Sequence, residues 1–277
     1  MKDRTLQQER LEAIISSSES ATVPLADGVE LRPLVSSTLG ARGLSTGIVT
    51  FQSDAMLPAH RHPVSEVIIP ITGKIHVIVE GRRYKIGRYD AFHVPAGVAH
   101  WVQNDLSELP VSCFSAFASE EPKREWVETS FINKDCTETD SSVMEDLIRF
   151  ESAPDYELAQ NALFRDLFAG RFGSRGICGG YGIFQPGASL PCHIHGFDES
   201  ITIVEGTAVC QVAGREYELS NCDTACIPEG RPHRFINRSD RTMAMIWVYA
   251  GDEPDRTVLE QCCCEESFIK QACESDN

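Results

Sequence analysis

The chain has 277 residues, of which 42% are hydrophobic and 24% charged, a globular composition long enough for two domains with separate cores. Its formal charge of -16, from 41 acidic against 25 basic residues, repels phosphate backbones and anionic lipid, so neither nucleic acid nor a membrane is expected as a partner. The opening "MKDRTLQQERLEAIISSSES" has no apolar stretch of signal-peptide length, and no apolar run reaches the roughly 18 residues of a membrane span, which makes the cytoplasm the expected location.

In chain order, residues 1–27 are read as an N-terminal helical segment. Residues 28–134 contain short apolar runs separated by turn residues, "IVTFQ", "EVIIPI", "KIHVIVEGRRYKI" and "DAFHVPAG", and "VEGRRY" reads as a hairpin around Gly81. Residues 135–160 are expected to hold a connecting helix. There "DSSVMEDLIRF" (Asp140 to Phe150) begins with capping residues and places Val143, Met144, Leu147 and Ile148 at helical spacing. Residues 161–260 return to short strands, and 261–277 form an acidic, cysteine-rich tail. The eleven cysteines are odd in number and lack a framework spacing, so they are read as mostly reduced thiols, including the run Cys262, Cys263, Cys264.

The two strand-rich regions are copies. "LPAHRHPVSE" and "LPCHIHGFDES" place His193, His195 and Glu199 each 133 positions after His60, His62 and Glu66. The same offset of 133 carries Gly73 onto Gly206, Tyr84 onto Tyr217, Asp90 onto Asp223, and Pro95, Gly97, His100 and Asn104 onto Pro228, Gly230, His233 and Asn237. It also aligns "LRPL" with "FRDL", which overrules the helical look of "ELAQNALFRDLFAG" and predicts strand from about Ala162. Downstream, "AFASEEPKRE" matches "VYAGDEPDRT" with the offset reduced to 132. Many short, regularly spaced strands predict a sandwich or a barrel in each copy.

On a strand, alternate residues share a face, so His60 projects with His62 and His193 with His195. Each copy therefore offers a clustered set of ligand types. The pattern His60-x-His62-x3-Glu66, Gly73, Asp90, Pro95-x-Gly97-x2-His100, repeated as His193-x-His195-x3-Glu199, Gly206, Asp223, Pro228-x-Gly230-x2-His233, resembles the two motifs of the cupin superfamily. Two complete copies resemble a bicupin. The resemblance implies an all-β fold of tandem jelly-roll (double-stranded β-helix) barrels with short flanking helices. It further implies that His60, His62, Glu66 and His100 bind one divalent metal and His193, His195, Glu199 and His233 another.

Three imidazoles and a carboxylate suit Fe, Mn, Ni, Cu or Zn and leave such a site about +1, receptive to an anionic oxygen ligand. Pro95, Gly97, Pro228 and Gly230 read as turn formers, Asn104 and Asn237 as loop ties, and Asp90 and Asp223 as backbone caps. His93, Asp198 and Arg234 are the candidates for assisting side chains, each with a plainer alternative: His93 is read as a structural residue or an acid-base group, Asp198 and Arg234 as solvated surface or part of a polar rim. The expected function is a metal-dependent enzyme acting on a small anionic or enolic molecule. By resemblance to two-domain dioxygenases of the superfamily the leading expectation is an oxygenase. A non-oxidative lyase, decarboxylase, aminohydrolase or isomerase stands next, and a non-catalytic binding or sensor protein third. Edge-strand pairing between barrels of this kind leads to an expected homodimer.

Overall fold

The computed structural model describes residues 10–260 except 107, 129 and 130; the expected tail and its cysteine run lie outside the described residues. Each copy folds as a pair of facing antiparallel sheets. In the first, the strands Met56–Arg61, His100–Gln103, Ile75–Val79 and Arg82–Ile86 face Ala91–Val94, Glu66–Pro70, Val111–Phe117, Ser45–Phe51 and Val29–Val35. The second repeats this with His193–Ile194, His233–Ile236, Thr207–Val212 and Arg215–Ser220 against Thr224–Ile227, Glu199–Glu205, Met243–Tyr249, Cys178–Phe184 and Ala162–Phe168. The fold is all-β with tandem duplicated barrels, as expected.

The alternation of the strands sorts three large cores and a small cluster of Ala59, Ile78 and Trp101. Phe51, Ile68, Val77, Phe92 and Val102 fill the first barrel, and Phe184, Ile201, Cys210, Ala225 and Phe235 fill the second. A third cluster joins residues of both copies, including Ile48, Val67, Ala91 and Phe114 with Leu167, Tyr181, Cys226 and Ile246, and packs barrel against barrel. The tight hairpins at Glu80-Gly81 and Ala213-Gly214 place both residues at positive φ (47° and 88°, 43° and 87°), the turn whose twist matches that of the flanking strands.

Two expected helices are strands. Of residues 1–27, the described part carries Ala13–Ile15 and Val23–Ala26, and the connecting segment carries Lys134–Cys136 and Asp146–Ile148 in place of a helix over Asp140 to Phe150. Helical structure among the described residues is limited to three 3-10 turns, Ser37–Leu39, Phe150–Ser152 and Gly170–Phe172. The Asp140 carboxylate accepts from the Ser142 backbone N–H at 2.8 Å and closes a local turn, Met144 is left exposed, and Leu147 is buried as part of the first barrel's core. An open sheet edge outweighs the segment's modest helical preference.

That edge pairing is reciprocal. Ala13–Ile15 leads the first copy yet pairs with Thr224–Ile227 of the second, while Asp146–Ile148, 133 positions later, pairs with Ala91–Val94 of the first. Matching anchors secure both: Glu12 accepts from Tyr217 (2.8 Å) and Arg231, and Glu145 accepts from Tyr84 (2.8 Å) and Arg82 (2.6 Å). The N-terminal segment thus lies on the second barrel of its own chain. No helix of the described residues is long and apolar enough to cross a membrane.

Candidate metal centres

The pleat explains how each motif becomes a cluster. His60 and His62 come from or just after Met56–Arg61, Glu66 opens the facing strand Glu66–Pro70, and His100 lies directly across the ladder from His60. The second copy does the same, with His193 opposite His233 and Glu199 opening Glu199–Glu205. In each quartet one ligand atom from every residue lies within 4.8 Å of the others, and all eight residues are buried. Every ligand position read from the sequence is therefore brought together.

Backbone carbonyls set the histidine tautomers. His60 Nδ1 lies 2.7 Å from Pro58 O, His62 Nδ1 2.7 Å from Lys123 O and His100 Nδ1 3.2 Å from Val98 O. His193 Nδ1 lies 2.8 Å from Pro191 O, His233 Nδ1 2.9 Å from Arg231 O, and His195 Nδ1 meets Asp255 O. A carbonyl can only accept, so each Nδ1 carries the proton and each Nε2 presents a lone pair inward. The Nε2 atoms of His60, His62, His195 and His233 are buried without a hydrogen-bond partner. Buried polar atoms are rarely left so, and one cation in each quartet satisfies both of its orphans at once.

Spacing fits the same group. Glu66 Oε2 lies 3.3 Å from His62 Nε2 and 3.0 Å from His100 Nε2, and Glu199 Oε2 lies 3.3 Å from His195 Nε2 and 2.8 Å from His233 Nε2. Two ligands each about 2.1 Å from one ion and at right angles are separated by about 3 Å. Burial alone would raise the carboxyls of Glu66 and Glu199, but the neighbouring histidines more than offset it and hold both well below the usual carboxylate range. Burial, with the adjacent His100 or His233, lowers His60 to about 3 and His193 to about 2, so both rings stay neutral and ready to ligate at any ordinary pH.

The surroundings differ. In the first site Ser115 Oγ donates to Glu66 Oε1 at 2.8 Å; Trp247 stands at the matching position of the second. Phe117 packs on His62 at 4.9 Å between ring centroids, where Tyr249 and Phe197 flank His195 at 4.4 and 5.8 Å. The segment after each last strand crosses the barrel mouth, which is how Lys123 and Asp255 reach the second histidine of each motif. The next residue in each is an arginine. Arg124 adjoins a cavity of 30 Å³ that is also lined by His60, Glu66 and Phe117, and its Nε is buried with no partner. Arg256 instead lines an open mouth of 530 Å³ with Arg171, Trp247 and Tyr249. Sequence reading missed both arginines as site residues, although "EPKRE" and "EPDRT" already aligned them.

Of the three assisting candidates, none bonds to a quartet side chain among the described residues. His93 sits in Ala91–Val94 with Phe92 and Val94 turned into the first barrel, so it faces the interbarrel side, buried, with neither ring nitrogen partnered. Burial and then Arg175 lower it to about 4. Because the native ring resists a proton that the unfolded ring takes up near 6.5, stability is lost as pH falls from about 6.5 to about 4, on the order of 3 kcal/mol over that window. His93→Leu is expected to flatten this part of the stability profile, read from urea midpoints at pH 7 and pH 5; an unchanged slope contradicts the assignment.

Asp198 is not the solvated surface residue expected. It is 3% exposed and accepts from Arg10 Nη1 and Nη2 (2.5 and 2.7 Å) and from the backbone N–H groups of Arg42 and Glu229 (2.9 Å each). It ties the N-terminal segment and a first-barrel loop to the second barrel. Asp198→Ala strands a part-buried guanidinium and should cost about 3 kcal/mol in equilibrium unfolding, with a loss under about 1 kcal/mol contradicting a structural role. Arg234 alternates with His233 and so points out of the barrel, donating to Gln211 Oε1 at 2.5 Å; it is no rim residue either.

A cupin domain model matches residues 47–117 and again 180–249, together more than half of the chain. The chain belongs to the cupin family. No curated protein sequence matches this cupin. Its fold is similar to solved oxalate decarboxylases. That from Bacillus subtilis at pH 4.6 superposes with a TM-score of 0.72 at 15% identity, over 94% of this chain and 82% of that one. The formate complex of the Lactobacillus farciminis enzyme gives 0.73 at 15% identity, over 91% and 89%. A Bacillus subtilis structure from work on its Mn(II) centres gives 0.70 at 16% identity, over 94% and 83%. At such identity the likeness is one of fold.

Proposed function

We propose that this cupin is a metal-dependent enzyme acting on a small carboxylate without net oxidation, a decarboxylase or related lyase, with the first quartet as its reactive site. The observation that carries this reading is Arg124: a half-buried guanidinium whose Nε is buried without a hydrogen-bond partner, lining a cavity of 30 Å³ with His60 and Glu66. Such a charge needs an anion, and the fork of a guanidinium matches a carboxylate. A divalent transition metal held by His60, His62, Glu66 and His100 would supply Lewis-acid polarisation of a carboxylate oxygen. Arg124 binds and orients the anion, Ser115 holds Glu66 in place, and Leu25, Leu57 and Phe51 exclude water.

The test is an anaerobic screen of metal-loaded protein on oxalate, malonate and glyoxylate, reading CO2 and the remaining acid by NMR. Turnover without oxygen supports the proposal. Turnover that begins only on admitting O2 restores the oxygenase reading, and saturable binding without product favours a binding protein.

A further inference from the structure

In the second barrel the Asp198 carboxylate is held by the backbone N–H groups of Arg42 and Glu229 (2.9 Å each) and by the Arg10 guanidinium. The offset of 133 carries Ser65 onto Asp198, Arg42 onto Arg175, and Ala96 onto Glu229. The loops that supply these groups keep their shape around Ser65. Gly97 N–H donates to His62 O (2.7 Å) as Gly230 N–H does to His195 O (2.9 Å), and Gly43 and Gly176 share positive φ of 73° and 81°. Ser65 O accepts from Ala118 N–H at 3.0 Å, as Asp198 O does from Ala250 N–H. The donors are thus repeated, but a short neutral hydroxyl stands in place of the carboxylate. Ser65 Oγ reaches the Arg175 N–H only at 3.4 Å, and the Ala96 N–H has no acceptor among the described residues.

A buried side chain points at the same spot. His93 is 3% exposed and has no partner for either ring nitrogen. Its counterpart Cys226 lies beside Asp198 and Arg10, whose charges act on the thiol. By the same geometry His93 faces Ser65, and the charge of Arg175 acts on its ring. A neutral imidazole carries one N–H, so four donors converge: the Ser65 hydroxyl, the His93 ring and the amides of Ala96 and Arg175. Asp146, across the ladder from His93, has its carboxylate turned to Thr139 Oγ1 at 3.1 Å. Converging backbone and side-chain donors beside a guanidinium make an anion site. We propose that this donor set between the barrels binds a small free carboxylate, in the place that the Asp198 side chain fills in the second barrel. The bound anion ties the Arg175 loop to the first barrel, as Asp198 ties the Arg42 loop to the second. Nothing in this inference depends on the reaction proposed above.

The test is amide NMR on the full zinc-loaded chain near neutral pH, titrated with sodium formate and separately with sodium chloride. Formate should move the Ala96 and Arg175 amide signals along saturable curves and leave those of Glu229 and Arg42, already capped by Asp198, in place. Movement of the same two signals by chloride extends the site to monoanions in general, and its absence restricts the site to carboxylates; either supports the inference. Signals around Arg124 report formate at the first quartet separately, so one reading can fail while the other stands. Ser65→Asp installs the second barrel's own carboxylate and should abolish the response, whereas Ser65→Ala removes one donor and should weaken binding about tenfold. Silent Ala96 and Arg175 signals throughout the titration, equal movement at Glu229 and Arg42, or a response that survives in Ser65→Asp would overturn the inference.

Discussion

Arg124→Gln is expected to lower kcat/KM for the small carboxylate by about 10²–10³-fold while both metals stay bound. The side chain touches no ligand by hydrogen bond, so metal affinity has no direct reason to change. What is lost is the charge-assisted pair that a guanidinium makes with a carboxylate, worth about 1.5–3 kcal/mol per bond in a site shielded from water. Burial lowers the Arg124 pKa and Glu66 partly restores it, yet a guanidinium remains protonated at any working pH. Arg124→Lys returns the charge without the planar fork and should recover only about tenfold of the loss. The check is steady-state kinetics with metal content measured on the same samples. Unchanged kcat/KM in Arg124→Gln would remove the arginine from substrate binding.

The second large effect separates the two sites. His62→Ala should reduce turnover by at least about 10³-fold, whereas His195→Ala should leave it within about threefold of wild type. His62 contributes more than a ligand atom. Its Nδ1–H donates to Lys123 O, so the ring also holds the segment on which Arg124 sits, and the substitution removes a donor and loosens the anion-binding arginine together. At the second site Phe197 and Tyr249 pack on His195, and Arg256 lies at an open mouth, an arrangement suited to holding a metal. Equal losses in the two variants would mean that both sites react.

The eight ligand positions were legible because chemistry and geometry repeat there together: two histidines share a strand face, a glutamate follows at fixed spacing, and the whole set recurs 133 residues later. Strand at Ala162–Phe168 was legible for the same reason, against its local helical look. Asp140 to Phe150 was misread because the deciding partner, the edge strand Ala91–Val94, lies about fifty residues upstream in the chain, and a capping residue with helical spacing is what a local window sees. The same limit hid Glu12 and Glu145, which obey the offset but bond across copies. Asp198 could not be told from a surface acid without knowing that Arg10 and the Arg42 loop converge on it. Arg124 and Arg256 stood aligned in the sequence; what was missing was the path of the segment after each last strand, which turns each toward its barrel.

The most direct measurement is metal content per chain by plasma mass spectrometry after reconstitution, on wild type, His62→Ala and His195→Ala. Two buried quartets with inward lone pairs predict two equivalents in the wild type and about one in each variant. Wild-type protein that retains no metal, or metal that neither substitution reduces, would contradict the account at its centre.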